Sequence, residues 1–91
     1  MNRDIVWTSQ FKKDYKLAEK RGLPISMLDA CIRMLAAGEV LPPKYNDHDL
    51  IGNWKGHREC HIRGDWLLIY RLADNDLVLI LARSGNHSDL L

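Results

Sequence analysis

The run Leu77–Ser84 is almost continuously apolar. A strand reads this way when both of its faces are covered. Two more strand-like runs precede it, His57–Ile62 and Trp66–Leu72. Turn residues separate them, first Arg63-Gly64-Asp65 and then Ala73-Asp74-Asn75-Asp76, with Gly64 able to take a positive φ. A shorter apolar run, Ile5-Val6-Trp7, opens the chain as a further strand. The expectation is one small sheet of four strands, mostly antiparallel.

The material to cover that sheet lies between the first strand and the other three. Ser9 is placed to cap a helix whose apolar stripe is Phe11, Tyr15 and Ala18. Gly22 stops it and Pro24 follows. A second helix begins near Pro24 or Ile25 and buries Leu28, Cys31, Ile32 and Leu35 before Gly38. Two helices joined by a short glycine turn make an antiparallel hairpin. The order is βααβββ, an α+β fold with the hairpin on one sheet face. Gly38–Gly56 reads as a long polar connection, and connections of that length are often functional. Gly85–Leu91 reads as a short tail.

With 91 residues, the expectation is a single domain over 1–91, with no room for a separate cofactor-binding unit. No apolar run approaches the roughly 20 residues of a membrane span, and the N-terminus lacks the apolar stretch of a secretory signal. A cytoplasmic protein without a membrane partner is expected. Cys31 and Cys60 are then expected to be reduced and semi-buried.

The net charge is only +1, weak for a nucleic-acid binder, but it is unevenly spread. Within Ser9–Gly22, five cations (Lys12, Lys13, Lys16, Lys20, Arg21) against Asp14 and Glu19 leave +3. Lys12, Lys16 and Lys20 recur every fourth residue and share one helix face. That face is either simply solvated or a docking surface for an anion.

The chemistry-bearing residues lie later. His48 sits in the polar connection, His57 and His61 on the second strand, Asp65 and Trp66 after its turn, and Arg83 and His87 at the end of the last strand. Imidazole, with an unperturbed pKa of about 6.5, exchanges a proton near neutral pH. Guanidinium offers a planar fork that fits phosphate oxygens. Together they suggest acid–base chemistry on a phosphate. Strand alternation puts His57, Glu59, His61 and Arg63 on one face. His61 is expected near Asp65 and Trp66 through the hairpin, while His57 reads as a surface polar residue. Arg83 either clamps an anion or pairs with one of the aspartates.

A zinc site is disfavoured by spacing. His57 and His61 lie four residues apart on a strand, about 13 Å. The sequence has no C-x-x-C, H-E-x-x-H or glycine-rich phosphate loop. A nuclease of this composition is expected to work without a metal or other cofactor and to use the 2′-hydroxyl of RNA as its nucleophile.

Four segments carry a family resemblance. They are Pro43-Lys44-Tyr45-Asn46-Asp47-His48-Asp49-Leu50, Gly52-Asn53-Trp54-Lys55-Gly56-His57-Arg58-Glu59-Cys60-His61, Asp65-Trp66-Leu67-Leu68-Ile69-Tyr70 and Arg83-Ser84-Gly85-Asn86-His87-Ser88. Through them the chain resembles the YafQ-like toxins of the RelE/ParE superfamily of small ribosome-dependent mRNA interferases. The resemblance spans essentially the whole chain. It implies an endoribonuclease that cuts mRNA in the ribosomal A site, with catalytic positions at His48, His61, Asp65, Arg83 and His87. It implies His48 as general base, His87 as general acid, Arg83 as stabiliser of the transition state, and His61 and Asp65 as orienting groups. It makes Trp66 a substrate contact and the basic helix, through Lys12, Lys13, Lys16 and Lys20, a contact for ribosomal RNA. The implied partners are a DinJ-like antitoxin, the 70S ribosome and mRNA. The family often closes with an aromatic residue. Leu91 stands there instead and can wedge against a base but not stack on it. The competing expectation on the same fold is a ParE-like, non-catalytic inhibitor of DNA gyrase.

Overall fold

A computed structural model describes residues 2–91. Strand β1 (Asp4–Trp7) leads into helices α1 (Ser9–Lys20) and α2 (Ile25–Ala36). A two-residue strand, β2 (His48–Asp49), precedes β3 (Arg58–Arg63), β4 (Trp66–Ala73), β5 (Val78–Asn86) and a last turn of helix, α3 (His87–Leu90). The sheet order is β1-β5-β4-β3-β2. Only β1 pairs in parallel, with β5. The α+β class stands, with five strands where four are expected. The additional strand is His48–Asp49, inside the segment read as an irregular connection. Two residues carry no period of their own, and their pairing with β3 is made by the partner strand.

The helix hairpin forms where the periodicity puts it. Its cap is Thr8 rather than Ser9: the Thr8 hydroxyl accepts the Phe11 backbone N–H at 3.1 Å. Such a cap contributes about 0.5–2 kcal/mol. Phe11, Leu28, Cys31, Ile32 and Leu35 bury against Cys60, Leu68, Tyr70, Leu79 and Leu81 of the sheet. Each fully buried leucine stabilises the fold by about 1.5–3 kcal/mol. Cys31 and Cys60 are free and completely buried, more deeply than expected, with Sγ atoms 3.6 Å apart.

Strand alternation sends Leu67 and Ile69 to the opposite face. There they form a second small cluster with Leu90. The stretch read as a tail therefore folds back: β5 runs on to Asn86, and the Asn86 side chain caps α3 by accepting from the Asp89 N–H at 2.8 Å. A bulge in β5 shifts the register so that Tyr70 faces Leu81 while Ile69 faces Arg83. No helix among the described residues is long and apolar enough to cross a membrane.

Candidate active site

The register aligns one row of residues across the sheet: His48 faces Glu59, Glu59 faces Ile69, and Ile69 faces Arg83. His61, two residues along β3 from Glu59, projects from the same face. It is the face opposite the helix hairpin. The return of the chain through α3 brings His87 over it.

Glu59 is the centre of this arrangement. Its side chain is 3% exposed, yet Oε1 lies 3.7 Å from Nε2 of His48, 3.6 Å from Nε2 of His61 and 3.8 Å from Nε2 of His87. These separations exceed direct hydrogen bonds but keep each ring within ion-pair distance of the carboxylate. Glu59 Oε2 is buried without a hydrogen-bond partner among the described residues. The ring centroids of His48 and His61 are 6.5 Å apart, and those of His61 and His87 are 6.2 Å apart. Three imidazoles from three elements therefore surround one buried carboxylate oxygen.

The outer two rings are fixed from behind. His48 Nδ1 lies 2.6 Å from the Asn46 carbonyl oxygen, so Nδ1–H donates and Nε2 is turned toward Glu59. Asn46 reaches this position by adopting a left-handed backbone, φ 46°. His87 Nδ1 lies 3.0 Å from Asp65 Oδ1. Asp65 thus orients His87 rather than His61, contrary to the hairpin expectation. The chain's return through α3 supplies a nearer ring.

Arg83 is held by Asp14. Its Nε and Nη2 donate to the two carboxylate oxygens at 2.8 and 3.2 Å, and the Ser84 backbone N–H adds a third bond at 3.0 Å. Asp14 is 8% exposed although it lies on the cationic helix. Hydrogen bonding to Asp14 raises the Arg83 pKa further, against the opposing effect of burial. The aspartate pairing anticipated for Arg83 therefore exists, and among the described residues it does not engage Nη1.

Trp66, expected as a substrate contact, lies mostly buried. Alternation on β4 turns it to the helix side with Leu68 and Tyr70, where it is 6% exposed. Its Nε1–H donates to Ser84 Oγ at 3.1 Å. It packs in the core and also lines clefts beside Arg83 and beside Asp65. Lys12, Lys13, Lys16 and Lys20 are all exposed on α1. Lys13 lines a cleft of about 330 Å³ that also contains Asp14, Arg21, Trp66 and Arg83. Leu91 is 57% exposed. His57 stands apart from the cluster, with its ring edge-on to Trp54 at 5.1 Å.

Sequence reasoning placed Glu59 on the right face but gave it no role. The signal was available: a carboxylate two residues from His61 on the same side of one strand. Asp14 and Asp47, which hold Arg83 and the His48 segment, carried no comparable signal.

A helix hairpin on one sheet face, three imidazoles around a buried carboxylate on the other, and a guanidinium on β5 tied to helix α1 define a small α+β protein with an acid–base site. Residues 3–91 match the family described as the bacterial toxin of type II toxin–antitoxin systems, YafQ, and the chain belongs to that family. It is 41% identical over 91 residues to the mRNA interferase toxin YafQ of Escherichia coli strain K12, covering 99% of this chain and 97% of that protein. It is similar to YafQ in the crystal structure of the E. coli DinJ–YafQ toxin–antitoxin complex, with a TM-score of 0.90, 40% identity, and 100% and 99% of the two chains covered. It is equally similar to a metal-bound toxin from Helicobacter pylori, with a TM-score of 0.90, 38% identity and both chains fully covered.

Proposed function

We propose that this toxin is a ribosome-dependent endoribonuclease that cleaves mRNA in the A site and so arrests translation and growth. The observation that carries the reading is the ring of His48, His61 and His87 around Glu59 Oε1. His48 Nε2 takes the proton of a 2′-hydroxyl. The 2′-oxygen attacks phosphorus, the bond to the 5′-oxygen breaks, and His87 Nε2 delivers the proton that the leaving oxygen needs. The products are a 2′,3′-cyclic phosphate and a 5′-hydroxyl. Both Nε2 atoms lie within 3.8 Å of one oxygen, so they can flank a single phosphodiester.

Glu59 stabilises each imidazolium as it forms, and its burial strengthens that interaction. Asp65 keeps the His87 ring turned toward the leaving group. Arg83, presented by Asp14, offers Nη1 to the phosphoryl oxygens as charge develops. The exposed lysines of α1 supply the contact for ribosomal RNA. A pure gyrase inhibitor requires no such set of imidazoles.

The reaction runs without a metal. In this reading two imidazoles supply both proton transfers, so the mechanism assigns no step to a metal. The H. pylori relative is described as metal-bound, so chelation is the direct test. Toxin stripped with EDTA and then freed of the chelator should cleave on translating ribosomes as well as untreated toxin; loss on stripping with recovery only when the toxin is reloaded with a transition-metal ion overturns metal independence. The partner is a DinJ-like antitoxin, by analogy with the E. coli complex.

The deciding experiment maps mRNA 5′ ends in translating ribosomes with wild type and His87→Ala. New ends in the A-site codon should appear with wild type alone. A folded His87→Ala protein that stays fully active sinks the mechanism. Altered plasmid supercoiling without mRNA cleavage would favour the gyrase reading.

A further inference from the structure

His48 is delivered by the least regular part of the chain. Its strand is two residues long and pairs with β3 only through His48–Glu59 and Asp49–Arg58. So short a pairing does not by itself hold a side chain to catalytic tolerance. The two neighbours of His48 supply what the strand lacks. Asp47 Oδ1 accepts from the Tyr70 hydroxyl at 2.7 Å and from Arg58 Nε at 3.2 Å. Asp49 Oδ1 accepts from Arg58 Nη1 at 2.6 Å. The aspartates thus straddle His48 and close on one guanidinium.

Both anchors belong to long strands of the sheet. Tyr70 lies in the middle of β4 and is 1% exposed. Arg58 is the first residue of β3, next to Glu59. Burial first, and then the bond to Asp47, push the Tyr70 phenol well above its ordinary pKa, so it remains a hydrogen-bond donor.

We infer that Asp47 is a positioning residue: bonded to Tyr70 and Arg58, it holds the His48 ring against Glu59. The inference rests on the acid–base reading for its consequence in rate, but not for its consequence in structure. The two acidic neighbours of His48 are then structural tethers rather than repellent charges in an RNA site.

The test uses the full chain carrying Asp47→Asn or Tyr70→Phe, with histidine ring ¹H–¹³C NMR and cleavage kinetics on translating ribosomes. In Asp47→Asn, the His48 ring resonances should move while those of His61 and His87 stay. The kcat should fall about ten- to a hundredfold with KM unchanged. Tyr70→Phe keeps the ring in the core and removes one of the two donors to Asp47, so it should give a smaller change in the same direction. It also decides the question if Asp47→Asn does not fold. Unmoved His48 resonances overturn the inference, as does a uniform shift of all three rings in Tyr70→Phe. Movement of His48 alone with an unchanged rate upholds the positioning and instead removes His48 from the reaction.

Discussion

His87 Nδ1 lies 3.0 Å from Asp65 Oδ1, across 22 residues of sequence. The same ring turns Nε2 toward Glu59. One imidazole is thus held by an exposed carboxylate on one side and faces a buried one on the other, as a proton donor to a leaving group requires.

Asp65→Asn should reduce mRNA cleavage about ten- to a hundredfold, because an amide no longer holds the His87 tautomer and ring as the carboxylate does. The Asp65 side chain is 63% exposed, so stability should change by less than about 1 kcal/mol. Single-turnover cleavage and thermal melting measure the two effects separately.

Glu59→Gln removes the charge shared by three imidazoles while keeping the shape. Cleavage should fall about a hundredfold or more. The melting temperature should not drop, since a buried carboxylate with one unpartnered oxygen is replaced by a neutral group. Near wild-type activity in the Glu59→Gln variant removes Glu59 from the mechanism.

Asp14→Ala leaves Arg83 without its partner and the Ser84 N–H without its acceptor. Breaking this largely buried pair should destabilise the fold by about 2–4 kcal/mol, less than in a fully enclosed pair because the Arg83 side chain is 26% exposed. Urea unfolding measures the loss. Activity at a temperature where the variant is folded should also fall, because the guanidinium is no longer aimed.

All three tyrosines hold their protons more tightly than free tyrosine. Burial, aided by a bond to Asp29, pushes Tyr15 up to about 12. Burial is also the leading cause of the upward shifts of Tyr45 and Tyr70. Tyrosinate absorbance at pH 10 should therefore be lower in the folded protein than in urea. Folded pKa values above the unfolded ones give stability that is complete below the unfolded value. It is lost as pH rises through the folded values, so unfolding should set in on the alkaline side.

The helix hairpin was readable because Phe11, Leu28, Cys31, Ile32 and Leu35 repeat at helical spacing and do bury. The three long strands were readable from composition and turn chemistry. The strand at His48–Asp49 was not, because two residues have no periodicity and their pairing depends on Glu59 and Arg58. The substrate-contact role of Trp66 came from the family resemblance alone, whereas its place in the alternation of β4 turns it toward the core.

The sequence by itself determined the inventory of imidazoles, carboxylates and guanidinium, the helix pair and the order of the long strands, since these follow from local spacing. Tertiary structure decided which charge meets which ring. Glu59 joins His48, His61 and His87, Asp65 takes His87 rather than His61, and Asp14 reaches Arg83 across 69 residues. Those pairings depend on strand register, on a one-residue bulge in β5 and on the return of the chain through α3. A slip of one residue along β3 would turn Glu59 and His61 to the other face.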